Sequence, residues 1–301
     1  MSKHVVITGA GGFVGNYLAE YLVKNGLGVT AITRSPNNCK KYSNIINWVE
    51  ADLTIKKALP AKFDILIHCA AVLPSVCNDS DRLYADNLVM STSVFKQAID
   101  AEAKLIIYLS SMSVYGDIRV LKIDEDTKFN NQTIYGKAKY EVEKRLKECV
   151  SLGLKSGISI RLPGTVGRGS HHNFISDALR CILENKKIVI KNPDSLFNNI
   201  VFVEDLARFI LRWASIAHSG YSMINLAATN PISIRDVIKA LYSCSNKSEM
   251  VTYKNELPMP FLISLDKAIS LGYEPRTVIE SITEFVRDEL YVSNKQEIKI
   301  K

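Results

Sequence analysis

Short apolar runs alternate with amphipathic segments along the first half of the chain. Six runs are typical of buried strands: residues 4–9, 28–33, 45–50, 63–68, 104–110 and 157–162. Residues 13–25, 80–101 and 133–150 carry their apolar positions at helical spacing. Apolar strands that alternate with helices are typical of a parallel sheet covered on both faces. The pattern therefore predicts an α/β fold with a doubly wound parallel sheet.

The alternation ends after Leu162. Glycines mark loops at positions 164, 167 and 169, and the segments that follow are shorter and less regular. We expect a first domain over 1–165, which a segment near 200–228 rejoins. We expect a smaller C-terminal lobe formed from 166–199 and 229–301.

Composition narrows the class of protein. Of 301 residues, 47% are hydrophobic and 23% are charged, which allows a sizeable core. The net charge of +7 is spread along the chain without an aromatic-interleaved basic stripe, so we expect no nucleic-acid partner. The excess cations indicate either a solvated surface or a preference for small anions. No apolar run approaches the ~20 residues that cross a bilayer, so we expect a cytoplasmic protein. No cysteine pair has C-x-x-C spacing, so we expect no metal site.

A glycine-rich segment joins the first strand to the first helix. It reads TGAGGFVG over residues 8–15, with Gly9, Gly12 and Gly15 three residues apart. Glycines here let the backbone approach a pyrophosphate, and the helix N-terminus offers free N–H groups and a positive dipole end. The strand–loop–helix context favours a Rossmann dinucleotide site over a merely tight turn.

A second motif places a phenol and an ammonium together. Tyr135 and Lys139 lie four residues apart in a predicted helix, so both leave one helix face. Free tyrosine titrates near ~10, and a neighbouring ammonium favours the phenolate, which suits acid–base work. Ser111 lies where the fifth strand ends, which is the edge at which open α/β sheets bind ligands.

With these motifs together, the chain resembles the extended short-chain dehydrogenase/reductase family, especially its branch that acts on nucleotide sugars. The likeness covers nearly the whole chain and is carried by TGAGGFVG, Ala51-Asp52-Leu53, His68-Cys69-Ala70-Ala71, SSMSVYG, YGKAK and RLPGTVGRG. It implies that Ser111 is the catalytic hydroxyl and Tyr135 the acid/base. Lys139 would hold the nicotinamide ribose and tune Tyr135.

The resemblance also implies a set of cofactor contacts. Asp52 would bond the adenine, although it could equally be a turn residue, and Asn87 would support the Lys139 network or be an ordinary surface amide. His68 fits a satisfied core histidine better than a catalyst. The expected cofactor-binding residues are Gly9, Gly12, Phe13, Val14, Gly15, Arg34, Ser35, Asp52, Leu53, Ala70, Ala71, Asn87, Tyr135, Lys139 and Pro163.

Three reactions share this kind of site: 4,6-dehydration, 4-epimerisation and reduction of a 4-keto sugar. Dehydratases of the family carry an Asp-Glu pair directly after the catalytic hydroxyl, and this chain has Met112 and Ser113 there. Neither side chain can remove the C5 proton or protonate a leaving hydroxide. The sequence therefore argues against a dehydratase.

The end of the second strand bears on the choice between 4-epimerisation and reduction of a 4-keto sugar. It reads ITRS, so Arg34 and Ser35 stand where an acid usually accepts bonds from the NAD ribose. A guanidinium pairs with a 2′-phosphate, which favours NADP over NAD. Alternatively, Arg34 stacks on the adenine and the protein binds either cofactor. An NADPH preference favours a net ketoreductase, and a UDP-hexose 4-epimerase with tightly held NAD is the alternative.

The substrate side matches the family less completely. Asn173 fits a phosphate contact, and Ser113 would assist Ser111 or merely cap the turn. The expected substrate-binding residues are Ser111, Ser113, Tyr135, Asn173 and Asn198. Asn198 stands where many members begin a signature with a pyrophosphate-gripping Arg, and Lys254 is the one candidate for a second missing Arg. A nucleotide sugar remains the expected substrate. Two alternatives stay open: the substrate is a carbonyl compound without a nucleotide, or the protein binds a cofactor without catalysing a reaction. The resemblance also implies a homodimer that forms through residues 80–101 and 133–150.

Overall fold

The computed structural model describes residues 3–35, 45–55, 57–256 and 260–300, with side chains up to Tyr291. The chain packs as two compact units. The first contains residues 1–117, 128–161 and 207–224, and the second contains 118–127, 162–206 and 225–301. No helix in the described ranges is long and apolar enough to cross a membrane.

The first unit is built on a seven-stranded sheet. Its strands are β1 (His4–Thr8), β2 (Gly28–Thr33), β3 (Asn47–Glu50), β4 (Ile65–His68), β5 (Leu105–Ser111), β7 (Ser156–Leu162) and β12 (Gly220–Asn225). They lie in the order β12-β7-β5-β4-β1-β2-β3. The β1–β2, β1–β4, β2–β3 and β4–β5 pairs are all parallel. The strand order reverses next to β1, which creates the switch point where open α/β sheets bind ligands.

Helices carry the crossovers of this sheet. They are α1 (Phe13–Lys24), α2 (Ser80–Asp100), α3 (Ile134–Ser151) and most of α5 (Val203–Ser215). Asp79 and Thr133 cap α2 and α3 by accepting bonds from backbone N–H groups of the first turn. Phe95 of α2 and Leu146 of α3 pack with Leu66 and Ile106 of the sheet in one buried cluster. The doubly wound α/β fold predicted from the apolar pattern is confirmed.

The second unit combines short strands and helices. Its elements are β6 (Lys122–Ile123), β8 (Gly164–Val166), α4 (Phe174–Leu183), β9 (Ile188–Lys191), β10 (Leu196–Phe197), β11 (Ile200–Phe202), β13 (Ile232–Ser233), α6 (Ile234–Ser245), β14 (Val251–Lys254), β15 (Leu262–Ile263), α7 (Asp266–Ser270) and α8 (Val278–Ile300). The strands pair two by two, as β10–β13, β8–β11, β9–β14 and β6–β15. A separate buried cluster, including Leu179, Ile238 and Phe285, forms its core.

Two features of the fold were not predicted from the sequence pattern. Residues 118–127 pack with the second unit, because β6 pairs in parallel with β15 more than a hundred positions later. Strand β5 runs one residue further than expected and includes Ser111. The assignment of cofactor binding to 1–165 with 200–228, and of substrate binding to the rest, stays a prediction.

An ion-pair cluster ties two segments of the second unit together. The Asp205 side chain is 1% exposed and accepts bonds from the backbone N–H and the guanidinium of Arg276. Glu204 binds the same guanidinium at 2.6 Å, and that guanidinium lies 4.6 Å from the centre of the Phe202 ring. The cluster joins the start of α5 to the segment before α8.

We expect Asp205→Asn to destabilise the protein by about 2–4 kcal/mol, because it leaves the partly buried Arg276 charge without its main partner. Asp194→Asn is the matched control. Asp194 pairs with Arg235 but is 76% exposed, so its loss should cost at most about 1 kcal/mol. Urea unfolding monitored by circular dichroism measures both variants, and equal costs would contradict a structural role for the Asp205 pair.

Candidate active site

The glycine loop between β1 and α1 is closely packed on both sides. Gly9 has φ +68°, and a Cβ there would lie 2.6 Å from the backbone nitrogen of Ala70. A Cβ on Gly15 would lie 2.4 Å from the Gly9 carbonyl oxygen. Gly12 caps α1 without a side chain, and the first turn of α1 carries no acid. The loop therefore leaves the α1 N-terminus open to an anion, which fits the pyrophosphate of a dinucleotide.

The end of β2 lies beside this loop. A Cβ on Gly11 would lie 2.2 Å from the Thr33 hydroxyl, so the loop passes directly over Thr33. Arg34 and Ser35 follow and are exposed. Asp52 accepts bonds from the Thr54 hydroxyl at 2.7 Å and the Thr54 N–H at 3.0 Å. These two bonds, and then the charge of Arg34, lower the pKa of Asp52, so this carboxylate closes a turn within electrostatic range of Arg34.

Other expected cofactor residues occupy different positions around the loop. Phe13 and Val14 open α1 and are half-buried, whereas Leu53 is 6% exposed and belongs to the core of the first unit. Lys40 and Lys41, which follow Arg34 in sequence, lie outside the described residues.

The backbone after β4 is held by Asn87 of α2. The Asn87 amide accepts a bond from the Val72 N–H at 3.0 Å and donates to the Val72 carbonyl at 2.9 Å. It also donates to the Leu83 carbonyl at 2.8 Å and is 3% exposed. The structure thus gives Asn87 different partners from the Lys139 network expected for it, and it is a buried clamp rather than a surface amide. The half-buried Ala70 and Ala71 lie just before the clamped residue.

The catalytic turn, residues 111–115, follows β5 and packs against the first turn of α3. The Ser111 hydroxyl donates to the Ser113 hydroxyl at 3.0 Å and accepts from the Ser113 N–H at 3.1 Å. A Cβ on Gly136 would lie 2.1 Å from the Ser113 carbonyl oxygen. Only a glycine next to Tyr135 permits this approach. No role was predicted for Gly136, although its place in the YGKAK motif is the signal that could have revealed one.

Lys139 is buried beneath this turn. Its ammonium donates to the Leu109 carbonyl at 2.9 Å and lies 4.8 Å and 5.6 Å from the ring centres of Tyr108 and Tyr135. Burial lowers the pKa of Lys139 to about 8. Leu109 is its one hydrogen-bond partner in the described part of the chain, so two of its three N–H groups remain available to hydroxyls of a bound ribose.

Burial holds the phenol of Tyr135 in its neutral form. It raises the pKa of Tyr135 above its ordinary value. Tuning of Tyr135 by the Lys139 ammonium stays a prediction. The Tyr135 hydroxyl is therefore protonated at neutral pH and is available as a proton donor.

Two neighbouring residues are held in neutral forms. His68 is fully buried between the Thr8 hydroxyl at 2.7 Å and the Ser91 hydroxyl at 2.9 Å, and burial lowers its pKa to about 3. This is a satisfied core histidine, as the sequence favoured. Burial raises the pKa of the Cys69 thiol to about 12, so the thiol is no nucleophile at neutral pH.

The remaining predicted site residues belong to the second unit. Pro163 directly precedes β8. Asn173 caps α4 through the Ser176 N–H and donates to the Thr165 carbonyl at 3.2 Å. Asn198 is 3% exposed, and its amide exchanges two bonds with the backbone of Ile263, at 2.9 and 3.0 Å. These two bonds hold β15, and the substrate contact expected of Asn198 stays a prediction.

A charged network that the sequence analysis missed lies behind the catalytic turn. Arg161 donates to Glu143 through Nε at 3.0 Å and Nη2 at 2.7 Å, and through Nη1 to the Tyr115 hydroxyl at 2.8 Å. The Ser110 hydroxyl donates to the same carboxylate at 2.6 Å. The available signal was the four-residue spacing from Lys139 to Glu143, which puts both on one face of α3.

A glycine loop at a helix N-terminus, and a half-buried Tyr135 beside a buried Lys139 near the end of β5, are the arrangement expected of a dinucleotide-binding α/β enzyme. The profile of the NAD dependent epimerase/dehydratase family matches residues 5–227. The chain belongs to this family and is an enzyme of that type. The family resemblance predicted from the motifs is confirmed.

Individual relatives are similar over most of their lengths. UDP-N-acetyl-alpha-D-glucosaminuronate decarboxylase of Bacillus cytotoxicus is 23% identical, over 84% of each chain. The structure of UDP-N-acetylglucosamine 4-epimerase from Methanobrevibacter ruminantium, in complex with UDP-N-acetylmuramic acid, has a TM-score of 0.81 at 21% identity, covering 97% of this chain and 99% of the other. MoeE5 in complex with UDP-glucose and NAD has a TM-score of 0.78 at 22% identity, covering 94% and 97%. These structures share the fold.

We expect Lys139→Met to raise stability at pH 7 by roughly 1–3 kcal/mol while weakening dinucleotide binding, because burial of the ammonium is unfavourable. Since the pKa of Lys139 falls from 10.5 to about 8 on folding, the penalty is complete below pH 8. It fades as the pH rises toward 10.5, where the unfolded chain also loses the proton. The stability gain should shrink over the same range.

Thermal unfolding at pH 7 and pH 10 measures this difference. Lys137→Met is the matched control, because Lys137 lies exposed on the same helix and should shift stability by no more than about 0.5 kcal/mol. The same gain in both variants at both pH values would show that added hydrophobicity, and not the buried charge, is responsible.

Proposed function

We propose that this protein is an NADPH-dependent reductase of a 4-keto sugar nucleotide. The observation that carries an oxidoreductase assignment is the arrangement of α3 against the catalytic turn. Close packing of Gly136 on Ser113 brings Tyr135 beside a turn that begins with a half-exposed serine hydroxyl. Lys139 lies beneath Tyr135 with donors to spare.

In the proposed reduction, Ser111, Tyr135 and Lys139 each have a separate role. The glycine loop and Lys139 would hold the dinucleotide, which would supply the hydride that reduces the carbonyl carbon. The Ser111 hydroxyl, which donates to Ser113 in the protein alone, would turn to donate to the substrate oxygen and orient it toward Tyr135. The Tyr135 hydroxyl, which burial keeps protonated, donates its proton to that oxygen as negative charge develops there. Lys139 supplies positive charge beneath the phenol, which stabilises the phenolate left after the transfer.

The end of β2 supports NADP as the cofactor. Arg34 and Ser35 are exposed beside the glycine loop, and Thr33 closes their turn by accepting a bond from the Ser35 N–H at 3.3 Å. A guanidinium and a hydroxyl there offer charge-assisted donors to a 2′-phosphate. Net reduction consumes external reducing power, which biosynthesis usually draws from NADPH.

A 4-epimerase with retained NAD is the second candidate. It is supported by the family to which the chain belongs and by the epimerase and the NAD complex among its structural neighbours. In that reaction Tyr135 would have to start as the phenolate, accept a proton from the C4 hydroxyl and later return it. The same residues serve both reactions, so the cofactor decides between them.

A nucleotide sugar is proposed as the substrate because the relatives named above act on or bind such compounds. The second unit offers Asn173 at the N-terminus of α4 as a phosphate contact. Asn198 bonds Ile263, and the substrate contact expected of it stays a prediction. A homodimer through α2 and α3, and a cytoplasmic location, stay predictions.

We expect Tyr135→Phe to reduce turnover by about 10²–10⁴-fold while leaving dinucleotide affinity nearly unchanged, because only the exchangeable proton is lost. Steady-state kinetics with keto-sugar nucleotides and fluorescence titration of NADPH measure the two effects. Tyr140→Phe, on the same helix, is the control and should retain activity. An equal loss of cofactor binding in Tyr135→Phe would indicate a structural role.

We expect Arg34→Asp to lower the preference for NADPH over NADH by about tenfold or more, because a carboxylate repels the 2′-phosphate. Arg180→Asp, an exposed charge reversal on α4, controls for the change in net charge. Any nucleotide carried through purification should first be released and identified. Retained NAD⁺ and an unchanged cofactor ratio would favour the epimerase.

A further inference from the structure

One residue on the catalytic face of α3 has no part in the chemistry described above. Tyr135, Lys139 and Glu143 follow one another at four-residue spacing, so their side chains leave the helix on one face. Glu143 is 2% exposed, and a carboxylate this deeply buried needs a full set of partners. The identity of those partners connects it to the active site.

Glu143 and Lys139 bind consecutive residues of β5. The Lys139 ammonium donates to the Leu109 carbonyl at 2.9 Å, and the Ser110 hydroxyl donates to Glu143 at 2.6 Å. The next residue is Ser111. A slide of α3 along β5 would break both bonds together, so the pair sets the register between the helix that carries Tyr135 and the strand that carries Ser111.

Arg161 extends this hold to the far end of the catalytic turn. It binds Glu143 with two parallel bonds and the Tyr115 hydroxyl with a third, at 2.8 Å. The guanidinium also lies 4.9 Å from the centre of the Tyr115 ring. The catalytic turn is thus held at both ends. Ser110 bonds Glu143 directly, and Tyr115 is linked to Glu143 through Arg161.

The negative charge of Glu143 also acts on the Lys139 ammonium, which lies one helical turn away on the same face of α3. The other titratable groups around that ammonium are His68 and Cys69 at the end of β4, Tyr108 of β5 and Tyr135 of α3. Burial lowers the pKa of Lys139, and negative charge on Cys69 or Glu143 would oppose that lowering. Since Cys69 stays protonated, Glu143 is the described carboxylate that acts on this ammonium, and it shares its charge with Arg161.

We propose that Glu143 is a positioning residue of this active site, which holds the catalytic turn in register with α3 and supplies the counter-charge for the Lys139 ammonium. The inference rests on the proposed function, because it presumes that Ser111, Tyr135 and Lys139 act together. In this proposal, one buried carboxylate fixes the relative positions of Ser111, Tyr135 and Lys139 and balances the charge of Lys139.

The first test measures Lys139 directly and needs no substrate. In the full-length protein labelled with ¹³Cε-lysine, the Lys139 signal is identified by its loss in Lys139→Arg and titrated by NMR. We expect Glu143→Gln to lower the pKa of Lys139 from about 8 by about one pH unit or more. Glu148→Gln, an exposed change on the same helix, should leave it unchanged. A folded Glu143→Gln protein with an unchanged Lys139 pKa overturns the counter-charge role.

The second test isolates geometry from charge. Ser110→Ala removes the bond to Glu143 and alters no charge, so it should lower kcat about tenfold while the Lys139 pKa and the NADPH affinity stay constant. An unchanged kcat overturns the positioning role, and this variant decides that point even if Glu143→Gln fails to fold.

The two tests separate failure of this inference from failure of the proposed function. If wild-type protein reduces no keto-sugar nucleotide while Glu143→Gln shifts the Lys139 pKa, the proposed reaction is wrong and the counter-charge role stands. If the wild type turns over and neither variant changes its readout, the inference about Glu143 is wrong and the reaction stands.

Discussion

The buried pair of Glu143 and Arg161 is the interaction on which the candidate site depends. Both side chains are almost completely removed from water, at 3% and 1% exposed. Burying two charges is costly, and the cost is offset only where the geometry is good and the other polar atoms are satisfied. Here two parallel guanidinium bonds, the Ser110 hydroxyl and the Tyr115 hydroxyl satisfy the pair. The result is a rigid link among β5, the catalytic turn, α3 and β7.

Backbone and side chains contribute differently to the two halves of the site. The proposed dinucleotide cradle depends on backbone packing, since a Cβ on Gly9 or Gly15 would collide with neighbouring backbone atoms. The proposed catalytic half depends on side-chain protonation, which burial controls. Desolvation keeps the Tyr135 phenol protonated, and it places the pKa of Lys139 near neutrality, at about 8. A bound cofactor and substrate would enter a site whose charges are few and already oriented, which favours proton transfer at one chosen oxygen.

Much of this arrangement was predictable from the sequence, because local periodicity and local spacing carry it. Alternating apolar runs predicted the doubly wound sheet, and three spaced glycines predicted the cradle. Four-residue spacing predicted that Tyr135 and Lys139 share a helix face. Local patterns could not reveal that Asn198 is committed to Ile263, because that partner lies 65 positions away.

The sequence by itself determined the class of fold, the family and the candidate catalytic residues, since each rests on short local motifs, and the family on a set of them along the chain. Tertiary structure alone decided how those residues are held and charged. The register of α3 on β5 depends on Arg161, 18 positions beyond Glu143, and the raised pKa of Tyr135 depends on burial created by distant segments. Desolvation and long-range hydrogen bonds are properties of the packed chain, so no local pattern expresses them.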